Sequence, residues 1–445
     1  MSLGADFCDI FVDKVSLQHL SLNSSKIKDI KSGVDFGIGV RLIFGEQMVY
    51  GYTNSTKKED LIQLTRLIAQ KNGKKTSFDQ AVQFKTKNFH QVAALADKEI
   101  PLSEKIQKLH TLDKKVRAHS ELISQVNIGL MLKKQEVEIF DSHGLHVQDT
   151  RPYVRLATSA IAKDGNLQES GYWAPGARGG YDYIESLDFD WISNYCAKQA
   201  LTTLRAVPCP AGKMPVVIDN GFGGVIFHEA CGHSLETTAV QKKASVFWDR
   251  KGDMIANEAV SAVDDGTMDN YWGSISVDDE GMETQRTQLI KNGKLENFLC
   301  DRMGEIKTGH PRTGSARRES YKYAPASRMR NTFIEPGQYK KEELIQAMGD
   351  GIFAAAMGGG SVNPGTGEFN FAVQEGYLVK DGKIKEPVKG ATLIGTGEEI
   401  LKNISMVGDN FELAAGVCGS VSGGVPTTVG QAAIKVDEIL VGGNA

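Results

Sequence analysis

Val34, Phe36, Ile38, Val40 and Leu42 alternate with Asp35, Gly37, Gly39 and Arg41. That period of two predicts a strand with one apolar face. Gly45-Glu46 predicts a turn into Met48-Val49-Tyr50. The period then lengthens. Leu61, Leu64 and Ile68 share one helical face behind Thr56-Lys57-Lys58-Glu59, which has capping-box spacing, and Gly73 stands where a C-terminal cap belongs. A polar stretch, residues 74–97, separates this helix from a second one, predicted to be capped at Ser103 with Ile106, Leu109, Leu112 and Val116 as its apolar stripe. Strands are predicted over 122–132, 136–140 and 154–161, then a Gly- and aromatic-rich loop over 171–180 and a helix over 190–205.

Val207-Pro208-Cys209-Pro210-Ala211-Gly212 interrupts both periodicities and predicts a domain boundary. The expected division is an N-terminal α/β domain, 1–207, with 1–97 and 98–207 as candidate lobes, and a β-rich domain, 208–445. The second half reads as short strands joined by hairpins, of which Lys291-Asn292-Gly293-Lys294 and Lys380-Asp381-Gly382-Lys383 are the clearest. One helix is predicted through His228 and another over 341–348. The fold class expected is α+β. Its N-terminal half combines antiparallel strands with flanking helices; its C-terminal half is mainly antiparallel sheet around the His228 helix, the candidate metal-binding helix.

Composition narrows the function. A formal net charge of -4 gives no electrostatic reason to expect direct nucleic-acid binding. No stretch approaches the roughly 20 apolar residues a membrane span needs. The first residues lack a basic segment followed by an apolar one, and the six cysteines (Cys8, Cys196, Cys209, Cys231, Cys300, Cys418) show no framework spacing. Reduced thiols and a cytoplasmic location are the expectation. There is no G-x-x-x-x-G-K-[ST] loop, and Gly221-Phe222-Gly223-Gly224 is too short for a dinucleotide fingerprint.

The segment His228-Glu229-Ala230-Cys231-Gly232-His233 carries the chemistry. The familiar zinc spacing, H-E-x-x-H, leaves its histidines about 40° apart on a helix. Here the spacing is five, which on a regular α-helix means about 140° and forbids a shared ion. Either a π-type bulge or termination of the helix at Gly232 resolves this. Packed core histidines are the competing explanation. Zinc also needs a third protein ligand, with a fourth position left open for catalysis. A histidine, an acid or a thiolate are the candidates. Cys231 would crowd the ion and reads as a small buried hydrophobe, whereas Cys418, in Gly416-Val417-Cys418-Gly419, ranks ahead of the other cysteines.

On these residues the chain resembles the TldD/PmbA family, on the TldD side. The likeness extends through Gly33–Arg41, the His228–Glu236 segment, Val263-Asp264-Asp265-Gly266-Thr267-Met268, Arg317-Arg318-Glu319-Ser320-Tyr321, Gly358-Gly359-Gly360 and Gly416-Val417-Cys418-Gly419. The resemblance implies a zinc metallopeptidase with one Zn2+ per active chain, held by His228, His233 and Cys418, with Glu229 in the catalytic position. It also implies a peptide or unfolded protein as substrate, and a dimer formed with itself or with a PmbA-like subunit. Two features depart from the family pattern: Cys231, and the continuation Ser234-Leu235-Glu236-Thr237-Thr238.

In the mechanism expected, Glu229 serves as general base on a metal-activated water. Arg317 and Arg318 have two readings, substrate orientation or ion pairing with Glu319 and the Asp278-Asp279-Glu280 run. Peptide binding by strand addition is expected, with the Gly358–Gly360 run permitting close approach. The alternative function is a non-catalytic assembly or regulatory protein with a structural metal or none.

Overall fold

The computed structural model describes residues 3–70, 82–89, 100–363 and 365–443. Long alternating segments dominate the first half because each can bury one face along its whole length. Phe7–Asn23 and Lys26–Phe44 form an antiparallel hairpin, and Ile123–Asp141 and Leu145–Asp164 form a second. Phe7–Asn23 also pairs antiparallel with Ile123–Asp141, so segments from 1–97 and 98–207 share one eight-stranded sheet. Strands of 17 to 20 residues reach roughly 55–65 Å at the rise of an extended chain.

Two helices, Leu102–Arg117 and Phe189–Leu204, cover one end of that sheet. They bury Leu109, Leu112, Val116, Ala197 and Ala200 against Ile128, Leu130, Val154 and Leu156. The first begins after Pro101 rather than at a Ser103 cap, since proline's fixed φ already suits the residue preceding a helix. The Lys58–Ala69 helix likewise starts one residue late for the expected box: Lys57 is its N-cap, without a side-chain cap bond. The hydroxyl of Ser55 instead bonds Asp60. Gly73 lies outside the described residues, as does most of the polar stretch, within which Lys85–Phe89 forms a parallel edge strand.

Two expected strands prove to be one. Lys133-Lys134-Gln135 continues Ile123–Asp141 without a break because the polar side chains find partners: Gln135 donates to Asp13 at 3.0 Å. The expected loop over 171–180 begins as the strand Leu167–Trp173, paired with Leu145–Asp164.

In the second half, Gly351–Val362, Gly212–Ile218, Ile434–Gly442, Thr392–Thr396 and Glu368–Lys380 pair in that order, and the last pairs back to the first, closing a ring. A six-stranded sheet places Glu412–Ser420 at its edge, beside Gly423–Gln431. Asn292 and Gly293, like Asp381 and Gly382, all have positive φ, as type I′ hairpins require. Parallel pairs also occur, including 216–218 with 352–354 and 331–333 with 428–430, so the sheets are mixed. Two short helices not expected from the pattern, Arg302–Thr308 and Gly397–Asn403, complete the layer.

A buried charged seam joins the halves. Arg41, fully buried, pairs with Asp9 on the neighbouring strand and, at 2.6 Å, with Glu280. Arg151 bridges Asp149 at 2.7 Å and Asp279 at 2.6 Å. Replacing one member leaves uncompensated charge in a dry interior. Arg41→Met should therefore cost about 3–5 kcal/mol of stability, read from urea unfolding followed by circular dichroism; a loss no larger than that of an exposed-lysine control would contradict the seam's role.

Candidate metal centre

The apolar run Val225-Ile226-Phe227 buries the start of a short helix, Val225–Ala230, in the core of the second half. That helix cannot continue. Cys231 leaves the helical region (φ -128°, ψ -49°), and a 3-10 turn, Gly232–Leu235, follows. Gly232 leaves room for a neighbour here: a Cβ would lie 2.2 Å from Met329 Sδ and would displace that buried side chain. The change of winding carries His233 round to the side of His228. Their rings meet edge to face with centroids 5.0 Å apart.

Cys418 arrives from the edge strand Glu412–Ser420. Its Sγ lies 3.3 Å from His228 Nε2 and 3.3 Å from His233 Nε2. All three donor atoms fall within 4.8 Å of one another, and all three residues are largely buried. Glu229 places Oε2 3.7 Å from His233 Nε2 and keeps partial exposure. Cys231, by contrast, is a fully buried member of the apolar core.

Electrostatics favour a charged sulfur. Burial by itself pushes the Cys418 thiol up, but His228 and His233 outweigh it and bring its pKa down to about 3. Burial also opposes protonation of His233; the Glu236 carboxylate and the Cys418 sulfur overcome it and hold the ring well above the usual imidazole range. Glu236 Oε2 is 3.0 Å from His233 Nδ1. A carboxylate there keeps a proton on Nδ1 and aims Nε2 at the shared point.

The donor set suits zinc. Two imidazole nitrogens and one thiolate match its borderline-soft preference and leave a fourth position open. Tetrahedral zinc with its usual bond lengths separates nitrogen and sulfur ligands by about 3.5 Å, close to the spacing found.

Arg317 and Arg318 are structural. Arg317 Nη1 donates to Met329 O at 2.8 Å, and Arg318 donates from its backbone N to Asp279 Oδ2 at 2.7 Å and from Nη2 to Asp279 O at 2.9 Å. Both are buried. The Gly358–Gly360 run sits in Gly351–Val362 where the register shifts against Glu368–Lys380. Sequence reasoning passed over Glu236 and Arg328. Glu236 stood three residues after His233, within reach on any helical turn. Arg328 had no signal, being 90 residues from Cys418, whose carbonyl its Nη2 contacts.

Two imidazoles, one thiolate and an adjacent carboxylate form a set that can hold a metal ion. In sequence the chain matches PmbA/TldA metallopeptidase domain 1 over residues 8–70, the central domain over 96–204 and the C-terminal domain over 211–443. The chain belongs to this PmbA/TldD metallopeptidase family. It is 37% identical to a metalloprotease TldD homolog of Haemophilus influenzae, over 98% of this chain and 93% of that one. A zinc metalloprotease TldD homolog of Saccharolobus solfataricus is 26% identical, covering 99% and 97%. The crystal structure of TldE from Thermococcus kodakarensis shares the fold with a TM-score of 0.75 at 18% identity, over 98% of this chain and 97% of that one.

If Glu236 fixes the His233 tautomer, Glu236→Gln should weaken zinc binding about 10–100-fold. Competition with a fluorescent zinc chelator measures this. Unchanged affinity would assign Glu236 to packing alone.

Proposed function

We propose that this chain is a zinc-dependent peptidase acting on unfolded or flexible peptides and proteins. The observation that carries the reading is the meeting of His228 Nε2, His233 Nε2 and Cys418 Sγ within 4.8 Å, with the Glu229 carboxylate at its edge. His228, His233 and Cys418 would hold the ion, which supplies Lewis acidity toward water and the scissile carbonyl when bound. Glu229 takes the proton of the attacking water at Oε2 and returns it to the leaving amine nitrogen. Its partial exposure suits that task, because a proton carrier must face the substrate. Glu236 holds His233 Nδ1 and keeps the imidazole oriented through the cycle. Pairing with a second copy or with a PmbA-like chain is part of the proposal.

Glu229→Gln separates catalysis from metal binding. Hydrolysis of casein or an unstructured fluorogenic peptide should fall about 10²–10⁴-fold, while zinc content by mass spectrometry stays at the wild-type level. Full activity with zinc bound would remove Glu229 from the mechanism. Chelation that leaves hydrolysis intact would remove the metal.

A further inference from the structure

Beside the metal centre lies a cavity of about 840 Å³, within the range of ligand-binding clefts. Its lining is of two kinds. One is aromatic: Trp191 stacks on Tyr195 with centroids 5.0 Å apart, and Trp173 meets Trp191 edge to face at 5.2 Å. Trp191 is 46% exposed although it belongs to this cluster. The two strands that complete the lining carry small residues, Ala355 and Ala356 on one and Ala414, Ala415 and Gly416 on the other, next to Met357 and Leu413. Small side chains in the same lining as a ring stack leave volume for a large side chain.

Both elements that frame this slot run straight into the metal ligands. The Gly221–Gly224 turn lines the cavity and leads into the helix bearing His228 and Glu229. Glu412–Ser420 lines it as far as Val417, and the next residue is Cys418. A Cβ on Gly416 would come 3.9 Å from Phe222, so the two elements touch here. Charge adds a selection. The Glu412 and Asp188 carboxylates line the same space, whereas Asp219 is neutralised by Lys341 at 3.0 Å. Arg155 donates to the Ala415 carbonyl at 3.3 Å and lies over Trp272.

We infer that this slot is a specificity subsite that seats a large apolar or aromatic side chain of an extended peptide and disfavours Asp and Glu. The inference rests on the peptidase reading for its substrate, and its ring stack supplies the stacking and apolar contact that a Phe or Trp side chain would exploit. Peptide affinity then depends on the one side chain that enters the slot.

The test uses zinc-supplemented Glu229→Gln protein and dye-labelled, Gly/Ser-rich decapeptides carrying a single Phe, Ala or Asp at successive positions, with Kd read by fluorescence anisotropy. At one position Phe should bind about tenfold or more tighter than Ala, and Asp should be weakest. Adding Trp191→Ala should erase the Phe preference, and Trp191→Phe should restore most of it. Equal Kd values for the three peptides at every position would overturn the inference, as would a Phe preference untouched by Trp191→Ala. Hydrolysis by the wild-type protein is assayed separately. A Phe preference lost in Trp191→Ala but accompanied by no cleavage would sustain the subsite and reject the peptidase reading instead.

Discussion

Arg328 is fully buried, and its guanidinium has one turn of chain in its grip: Nη1 donates to Ser422 Oγ at 2.9 Å and to Gly423 O at 2.8 Å, and Nη2 donates to Cys418 O. Its Nε stands 3.9 Å from Glu236 Oε1, the other oxygen of the carboxylate that holds His233. A buried guanidinium is costly unless its fork of donors is used, and here two carbonyls and a hydroxyl take bonds from its Nη atoms while the Glu236 carboxylate offsets its charge from ion-pair distance. The consequence is geometric. Ligands about 190 residues apart in sequence are referred to a single planar group, so the sulfur and the second imidazole cannot drift independently. The next two residues extend the same logic. Met329 N donates to Glu236 Oε1 at 3.3 Å, and Arg330 Nε bonds Asp264 Oδ1 at 2.6 Å. Arg328-Met329-Arg330 thus locks the ligand-bearing turn, the helix terminus and the adjacent sheet with three consecutive residues.

The charged seam at Arg41 does comparable work at larger scale. The N-terminal sheet meets the 278–280 segment through guanidinium–carboxylate pairs rather than through apolar contact alone, although Phe11, Val137 and Tyr321 pack nearby. Charge pairs of this kind contribute little net energy compared with a well-packed apolar contact, but they penalise any other register heavily. A sheet of long strands needs that discrimination. A slip of one residue would turn every buried side chain outward.

Local patterning made much of this visible. The alternation around Val34–Leu42, the apolar stripe of Leu109–Val116 and the Asn-Gly and Asp-Gly turns each report their structure within a few residues. Where a polar group is satisfied by a distant partner, the pattern misleads: Lys133-Lys134-Gln135 looks like a break between strands until Asp13 is seen opposite. The same limit governs the site. His228, Glu229 and His233 could be picked out because they are adjacent. Cys418 rested on chemistry and on the family resemblance, and the His–Cys distances show only in three dimensions. Arg317 and Arg318 were open to two readings by type, and the positions of Met329 O and Asp279 decide for the structural one.

The five-residue histidine spacing is the point at which sequence geometry and site geometry meet. A regular helix would put the two rings on different faces, and the chain resolves this by ending the helix at Ala230 rather than by bulging it. Termination needs the following turn to satisfy its own backbone. Leu235 N bonds Cys231 O at 3.1 Å, and the three-residue bond from Glu236 N to His233 O, at 3.4 Å, closes its end. It also needs room, which Gly232 gives against Met329. Thus Ala230 and Cys231, the two residues of the motif buried in the apolar core, anchor the break. The histidines on either side then face the shared point. The extra residue relative to the shorter histidine motif lets Glu236 follow directly from the turn. That carboxylate reaches Nδ1 of its own histidine from beneath, which supplies the orienting contact within four residues of chain.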